Sequence, residues 1–253
     1  MNGWRSILIT GASSGLGEAL ARALARPGTY LALTGRDRTR LAAVADACRA
    51  GGATIHEEAI DVRNAEEMAI AVARADARCP LDLVIANAGI SAGTQGGPEG
   101  ADQTRAIFAV NVDGVANTIL PALACMAGRH TGQVAIISSL AGFRGYPGAP
   151  AYCASKAAVR VWGEALRAEW SSRGVRVNVV CPGFVVSRMT AVNDFPMPML
   201  MDAPRAAKII LRGLAADRPR IAFPWPMYLA ARLVAAIPQR LSELVLRRLP
   251  RKR

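Results

Sequence analysis

Ser6-Ile7-Leu8-Ile9-Thr10-Gly11-Ala12-Ser13-Ser14-Gly15-Leu16-Gly17 decides the fold of this 253-residue chain. An apolar run, Ser6–Thr10, meets a turn with three glycines, and a helical pattern follows over 18–26. Strand, glycine turn and helix together aim backbone N–H groups at a pyrophosphate on the helix N-terminus. A glycine-rich turn alone is weak evidence, but this one has the flanks the motif requires. Its spacing is G-x-x-x-G-x-G rather than G-x-G-x-x-G.

Outward from this turn, short apolar runs alternate with helical patterns. Strands are predicted over 30–34, 54–60, Leu83–Ala86, Gly132–Ile137, 175–180 and Arg220–Phe223, with helices over 39–50, Ala65–Arg78, 101–129, 150–173 and 204–216. Such alternation builds a doubly wound parallel α/β sheet, here of seven strands with helices on both faces, whose ligands lie at the carboxyl ends of the strands. Asp61 and Asn87 fall at strand ends. The second strand ends at Gly35-Arg36, where an NAD site usually places a carboxylate and an arginine accommodates a 2′-phosphate. That favours NADP(H) and leaves NAD(H) open; a merely solvated Arg36 is the plainer alternative. Asn111 falls in the middle of the long helical region, and a buried mid-helix amide needs partners. The stretch 188–202, with Met189, Phe195, Met197, Met199, Leu200 and Met201, reads as a loop.

The chemistry concentrates at Tyr152-Cys153-Ala154-Ser155-Lys156, following Pro150. Four residues apart on a helix, Tyr152 and Lys156 share a face. A lysine charge there favours the phenolate, so the Tyr152 pKa is expected to fall from about 10, towards the working range of a proton donor for carbonyl reduction. An accidental Tyr-x-x-x-Lys is the alternative. It is weakened by composition: the chain has three lysines, Lys156, Lys208 and Lys252, among 31 basic residues. Lysine is a tunable point charge and arginine a rigid fork.

Composition excludes disorder as the main state, with 52% hydrophobic and 20% charged residues. Five scattered cysteines and two histidines, with no C-x-x-C, argue for reduced thiols and no metal site. The first residues run directly into the first strand, leaving no room for a leader, so a cytoplasmic protein is expected. A net charge of +12 invites a nucleic-acid reading, but the arginines are scattered and aromatics are 5% of the chain, so no nucleic-acid partner is expected.

Thr10-Gly11-x-x-x-Gly15-x-Gly17, Asp61-Val62, Asn87-Ala88-Gly89, Asn111, Ser139, Tyr152-x-x-x-Lys156 and Pro182-Gly183 stand in one order. In that set the chain resembles the short-chain dehydrogenase/reductase superfamily, over about residues 5–224, in its single-domain Rossmann version. The resemblance implies an NAD(P)(H)-dependent oxidoreductase that interconverts a carbonyl and a secondary alcohol. Tyr152 would be the general acid/base, Ser139 would polarise the carbonyl, and Lys156 would hold the nicotinamide ribose and lower the Tyr152 pKa. Asn111 would hold a water in the proton relay. Gly11, Ser13, Ser14, Gly15, Leu16 and Gly17 would bind the pyrophosphate, Asp61 and Val62 the adenine, and Asn87, Ala88 and Gly89 the adenosine side. Pro182, Gly183, Val185 and Ser187 would flank the carboxamide. Two departures, Ala86 for a common Asn and Ser187 for a common Thr, leave the catalytic set whole. Four of the eight methionines lie in 189–201, the place of this fold's lid, which suits a small apolar substrate. The competing class is a catalytically idle dinucleotide-binding sensor or scaffold, for which the four catalytic positions would be superfluous. The family's habits imply a homodimer or homotetramer.

The division expected is a catalytic domain over 1–225 and a basic, apolar helical tail over 226–253, split by Pro238. Seven basic residues from Arg232 to Arg253 stand against Glu243. Two readings stay open: an interfacial helix on anionic lipid, making the enzyme membrane-peripheral, or a helix packed on its own or a partner subunit.

Overall fold

The computed structural model describes residues 3–92 and 98–238 of the chain. Seven strands form one parallel sheet: β1 (Ser6–Thr10), β2 (Tyr30–Gly35), β3 (Thr54–Ala59), β4 (Leu83–Ala86), β5 (Gly132–Ile137), β6 (Val175–Pro182) and β7 (Arg220–Phe223). Their spatial order is β3-β2-β1-β4-β5-β6-β7. Strand β1 sits between β2 and β4, with Ile7 opposite both Leu31 and Leu83. The chain winds outward from β1 to one side, then returns to wind outward on the other. The crevice above β1 and β4 is therefore the place where such a sheet receives ligands.

The unbroken apolar runs of the central strands follow from burial on both faces. Ile7 and Ile9 face a layer made by α1 (Gly15–Leu24), α2 (Arg38–Ala50) and α8 (Ala203–Ala215), where Leu20, Leu41 and Ile210 meet them. Leu8 points the other way, towards Met68 of α3 (Ala65–Arg78), Ile119 of α5 (Gly114–Ala127) and Val159 of α6 (Pro150–Ser171). Each such side chain contributes about 1.5–3 kcal/mol on burial. Strand β3 forms an edge, and it is charged: Glu57 pairs with Arg49, and Glu58 with Arg74 at 2.9 Å. Charge of this kind discourages pairing with another chain.

The region predicted as one helix over 101–129 is two, α4 (Ala101–Phe108) and α5, joined by a π-helical turn, Ala109–Asp113, that contains Asn111. The lid stretch holds a short helix, α7 (Arg188–Ala191), with a capping box between Ser187 and Thr190, and a lone bridge from Val185 to Met201.

At the amino-terminal side of the sheet a polar chain crosses the core. Trp4 Nε1 donates to Gln133, whose Nε2 donates to Asn178; Asn178 Nδ2 donates to Asp217, and Arg167 clasps the same carboxylate with two bonds of 2.9 Å. Gln133 and Asn178 are fully buried, and each is satisfied by this chain.

Helix α9 (Trp225–Ala236) opens the region expected as a tail, and its inner face packs on the body. Met227 and Tyr228 lie against Leu140 and Phe143, while Tyr228 Oη accepts from Arg220 at 3.0 Å. Trp225, Leu229 and Leu233 point outward, 71%, 49% and 60% exposed. The second piece of the expected tail, 239–253, lies outside the described residues.

Candidate active site

The glycine turn carries Gly11 and Gly15 at φ +65° and +58°, where only glycine is unstrained. Gly17 is required for space: a Cβ there would collide with the Gly11 carbonyl and stand 2.5 Å from Asn87 Nδ2. Asn87, expected on the adenosine side, has both amide protons spent on the turn, donating to the carbonyls of Thr10 at 3.0 Å and Gly11 at 3.2 Å. Thr10 Oγ1 accepts in return from the N–H groups of Asn87 and Ala88. Thus Asn87 fastens the end of β4 to the turn after β1. Helix α1 begins at Ser14, whose side chain makes no cap, so the first-turn amides that Leu16 and Gly17 contribute to have no side-chain acceptor from the N-cap. This arrangement fits a pyrophosphate at the helix N-terminus.

At the end of β2 a Cβ on Gly35 would sit 3.2 Å from Ser13 Oγ, so the missing side chain is also a packing requirement. Arg36 beside it is exposed and, among the described residues, has no carboxylate partner within ion-pair distance. Asp61 and Val62, the pair expected at the adenine, follow β3, and both are tied to the chain around them. Arg63 holds the Asp61 carboxylate through Nη2 at 2.7 Å, Nε at 3.0 Å and its own N–H at 3.0 Å, depressing the Asp61 pKa. Val62 turns inward: its Cγ2 fills the space that a Cβ on Gly114 would need, and its carbonyl accepts from Asn117. The sequence did show Arg63, but not that it would reach back to Asp61.

Asn111 is fully buried in its π turn and has the partners its position demanded. Its Nδ2 donates to the Ile90 carbonyl at 2.9 Å and to Ser155 Oγ at 3.0 Å, and its Oδ1 accepts from Ile90 N–H at 2.8 Å. Ser155 in turn donates to the Tyr152 carbonyl at 2.8 Å. Ser155 was not anticipated; its signal was its place inside the Tyr152-to-Lys156 turn. With both amide protons spent, Asn111 can meet a water only as an acceptor.

Gly89 marks the meeting point, since a Cβ there would lie 3.2 Å from both Asn111 Oδ1 and Lys156 Nζ. Lys156, buried on α6, donates to the Ile137 carbonyl at 3.0 Å, and burial lowers its pKa to about 8. Its Nζ is 5.8 Å from the Tyr152 ring centre. Ser139, two residues past β5, caps a 3-10 turn, Leu140–Phe143, with Oγ accepting from Ala141 N–H at 3.1 Å. Its hydroxyl is also hydrogen-bonded to the Tyr152 phenol. The expected fall in the Tyr152 pKa is corrected in direction. Burial raises it and outweighs the lowering by Ser139, while Lys156, itself short of solvation, does not reverse it.

Pro182 ends β6, and Gly183 N–H donates to the Phe223 carbonyl at 2.7 Å. A Cβ on Gly183 would press on Pro224 at 3.0 Å. Val185 is buried, and Ser187 brings the lid to the glycine turn: its Cβ is 3.0 Å from where a Cβ on Gly15 would stand. In the lid, Phe184 and Phe195 meet edge to face at 6.0 Å.

Residues 5–195 match a family model described as short chain dehydrogenase. The chain is 39% identical over 247 residues to an uncharacterized oxidoreductase of Myxococcus xanthus strain DK1622, covering 97% of this chain and 98% of that one. It is similar to a solved short-chain dehydrogenase from Sphingobium yanoikuyae in complex with NADPH, at 26% identity and TM-score 0.80 over 93% of this chain and 97% of that one. A short chain dehydrogenase from Mycobacterium paratuberculosis bound to NAD shares the fold at TM-score 0.75 and 23% identity, over 86% and 94%.

Proposed function

The chain belongs to the short-chain dehydrogenase family, and from that premise we propose that it interconverts a carbonyl and a secondary alcohol with Tyr152 as the acid and base. The observation that carries this reading is the convergence of Ser139, Tyr152, Lys156 and Asn111 around Gly89. A nicotinamide dinucleotide, when bound, supplies or accepts the hydride. Tyr152 gives its phenolic proton to the carbonyl oxygen as charge develops there, and Ser139 Oγ is the second donor. Lys156 has spent one ammonium proton on Ile137 and keeps two for the ribose hydroxyls and for returning a proton towards Tyr152. Asn111 holds the loop after β4 against α6, so that Gly89 and Tyr152 keep their separation. In the reverse direction the same groups take the proton away.

NADPH is the preferred cofactor. Arg36 is unpaired among the described residues, the usual carboxylate is absent at Gly35, and Ser13 crowds the position where it would start. The substrate is small and apolar, supported by Phe184, Phe195 and Met201 in the lid. Exposed Phe108, Leu120 and Val161 on α4, α5 and α6 suit a homodimer or homotetramer. Trp225, Leu229 and Leu233 give α9 an outward apolar stripe for an anionic membrane surface, which co-sedimentation with anionic liposomes tests. A truncation there should begin after Pro238, because the inner face of α9 belongs to the body. The function itself is tested by turnover of apolar ketones and alcohols with NADPH and NADH; no turnover of any, with either cofactor bound, would favour the idle sensor.

A further inference from the structure

We propose that Glu99 is a positioning residue for the reaction, its carboxylate replacing the N-cap that the Tyr152 helix lacks; this rests on Tyr152 being the acid and base. Helix α6 begins poorly on its own sequence. Its N-cap is Ala149, whose side chain cannot accept, and Pro150 has no N–H. The first amide left to satisfy is that of Ala151, and it donates to Glu99 Oε2 at 2.9 Å, from a residue 52 positions away in the chain. Tyr152 comes next. The carboxylate thus holds the backbone turn from which the phenol projects.

Glu99 is held in its turn from α4, where Gln103 Nε2 donates to Oε1 and Thr104 Oγ1 to Oε2, both at 3.3 Å. Helices α2, α3 and α8, which present no reacting group, carry their own caps in Asp37, Asn64 and Asp202. A negative group at a helix N-terminus also meets the favourable end of the helix dipole, so the contact is charge-assisted. The polar groups facing the same turn include Cys153 and Lys156 on α6, Ser139 from the 3-10 turn and Tyr146 ahead of the helix, with Cys181 of β6 beyond Lys156. None of them reaches the Ala151 amide. Without Glu99 the first turn frays, and a misplacement of about 1 Å at a reacting group can cost roughly a hundredfold in rate.

The test compares Glu99→Ala, Glu99→Gln and Tyr152→Phe in the full chain. Steady-state kinetics with a carbonyl that the wild type reduces, NADPH affinity by calorimetry, and amide exchange at Ala151 are read for each. Glu99→Ala is expected to lower kcat roughly tenfold with NADPH affinity changed less than about twofold, and to speed exchange at Ala151. Glu99→Gln keeps an oxygen that accepts the same N–H and is expected to stay within about threefold of the wild-type kcat. A Glu99→Ala enzyme with wild-type kcat overturns the proposal, as does a Gln variant as slow as the Ala variant, or a loss of kcat matched by an equal loss of NADPH affinity. If Tyr152→Phe keeps its rate, the acid–base reading itself falls. An inactive Tyr152→Phe beside an unimpaired Glu99→Ala removes only the role of Glu99.

Discussion

Replacing Asn111 by Ala should cost stability as well as rate. The side chain is fully buried and makes three bonds of 2.8, 2.9 and 3.0 Å, so its removal strands the N–H and the carbonyl of Ile90, while the Ser155 hydroxyl keeps its bond to the Tyr152 carbonyl. A stranded buried group costs about 1–3 kcal/mol. The low end applies to each, because the vacated amide leaves room for a water with polar partners on several sides. Two groups at about 1 kcal/mol give a loss of about 2 kcal/mol, a sizeable share of a typical 5–15 kcal/mol. Urea unfolding followed by tryptophan fluorescence measures this, with an unchanged slope showing that the denatured state is the same. Asn111→Asp is the internal control. It keeps the acceptor for Ile90 N–H but loses both donors, and its ionised form meets the Ile90 carbonyl. Its folded-state pKa is therefore raised, and its deficit relative to wild type should be smaller below about pH 4 than at pH 7, opposite to an ion-paired carboxylate. A loss under about 1 kcal/mol for Asn111→Ala would refute the view that Asn111 is a structural tie between β4 and α6.

Tyr152→Phe should lose at least about a hundredfold in turnover while binding NADPH normally, and a smaller loss denies it the role of acid and base. Arg36→Ala should reduce the preference for NADPH over NADH by roughly ten- to a hundredfold in kcat/KM, the worth of one charge-assisted contact; an unchanged ratio places the 2′-phosphate elsewhere. Asp217 has its pKa depressed, chiefly by Arg167, so its contribution is present above its unfolded value near 4 and is lost as the pH falls through the lower folded value. Asp217→Asn should therefore be less stable than wild type at pH 7 by thermal denaturation, with the gap closing in acid; a gap that persists below pH 2 speaks against the ion pair.

Much of this is legible in the sequence itself. Ser6–Thr10, Leu83–Ala86 and Gly132–Ile137 fall where their apolar runs placed them, because strands buried on both faces leave an uninterrupted local signal, and Arg220–Phe223 falls where expected as a half-buried edge. The break at Ala109–Asp113 was not legible, since the π turn goes with Asn111 partners 21 and 44 positions away. The direction of the Tyr152 pKa failed for a related reason: spacing along a helix gives the distance to Lys156, but burial depends on everything packed around both. Asp61 shows the reverse case, a local contact, in which Arg63 two residues on holds its carboxylate. Glu99 lay furthest from sight, for nothing near it in sequence names the Ala151 amide it serves.

The polar chain beneath the sheet sets a timetable for synthesis. Trp4 and Gln133 leave the ribosome early, but Asn178 and Arg167 wait for Asp217, which emerges when most of the chain is already made. Until then the β5 and β6 region holds polar groups it cannot bury without cost, and β7 has not yet covered the outer edge of β6. A nascent chain stopped near residue 200 should remain a client for chaperones, and the final docking of residues separated by more than 200 positions should be a slow folding event.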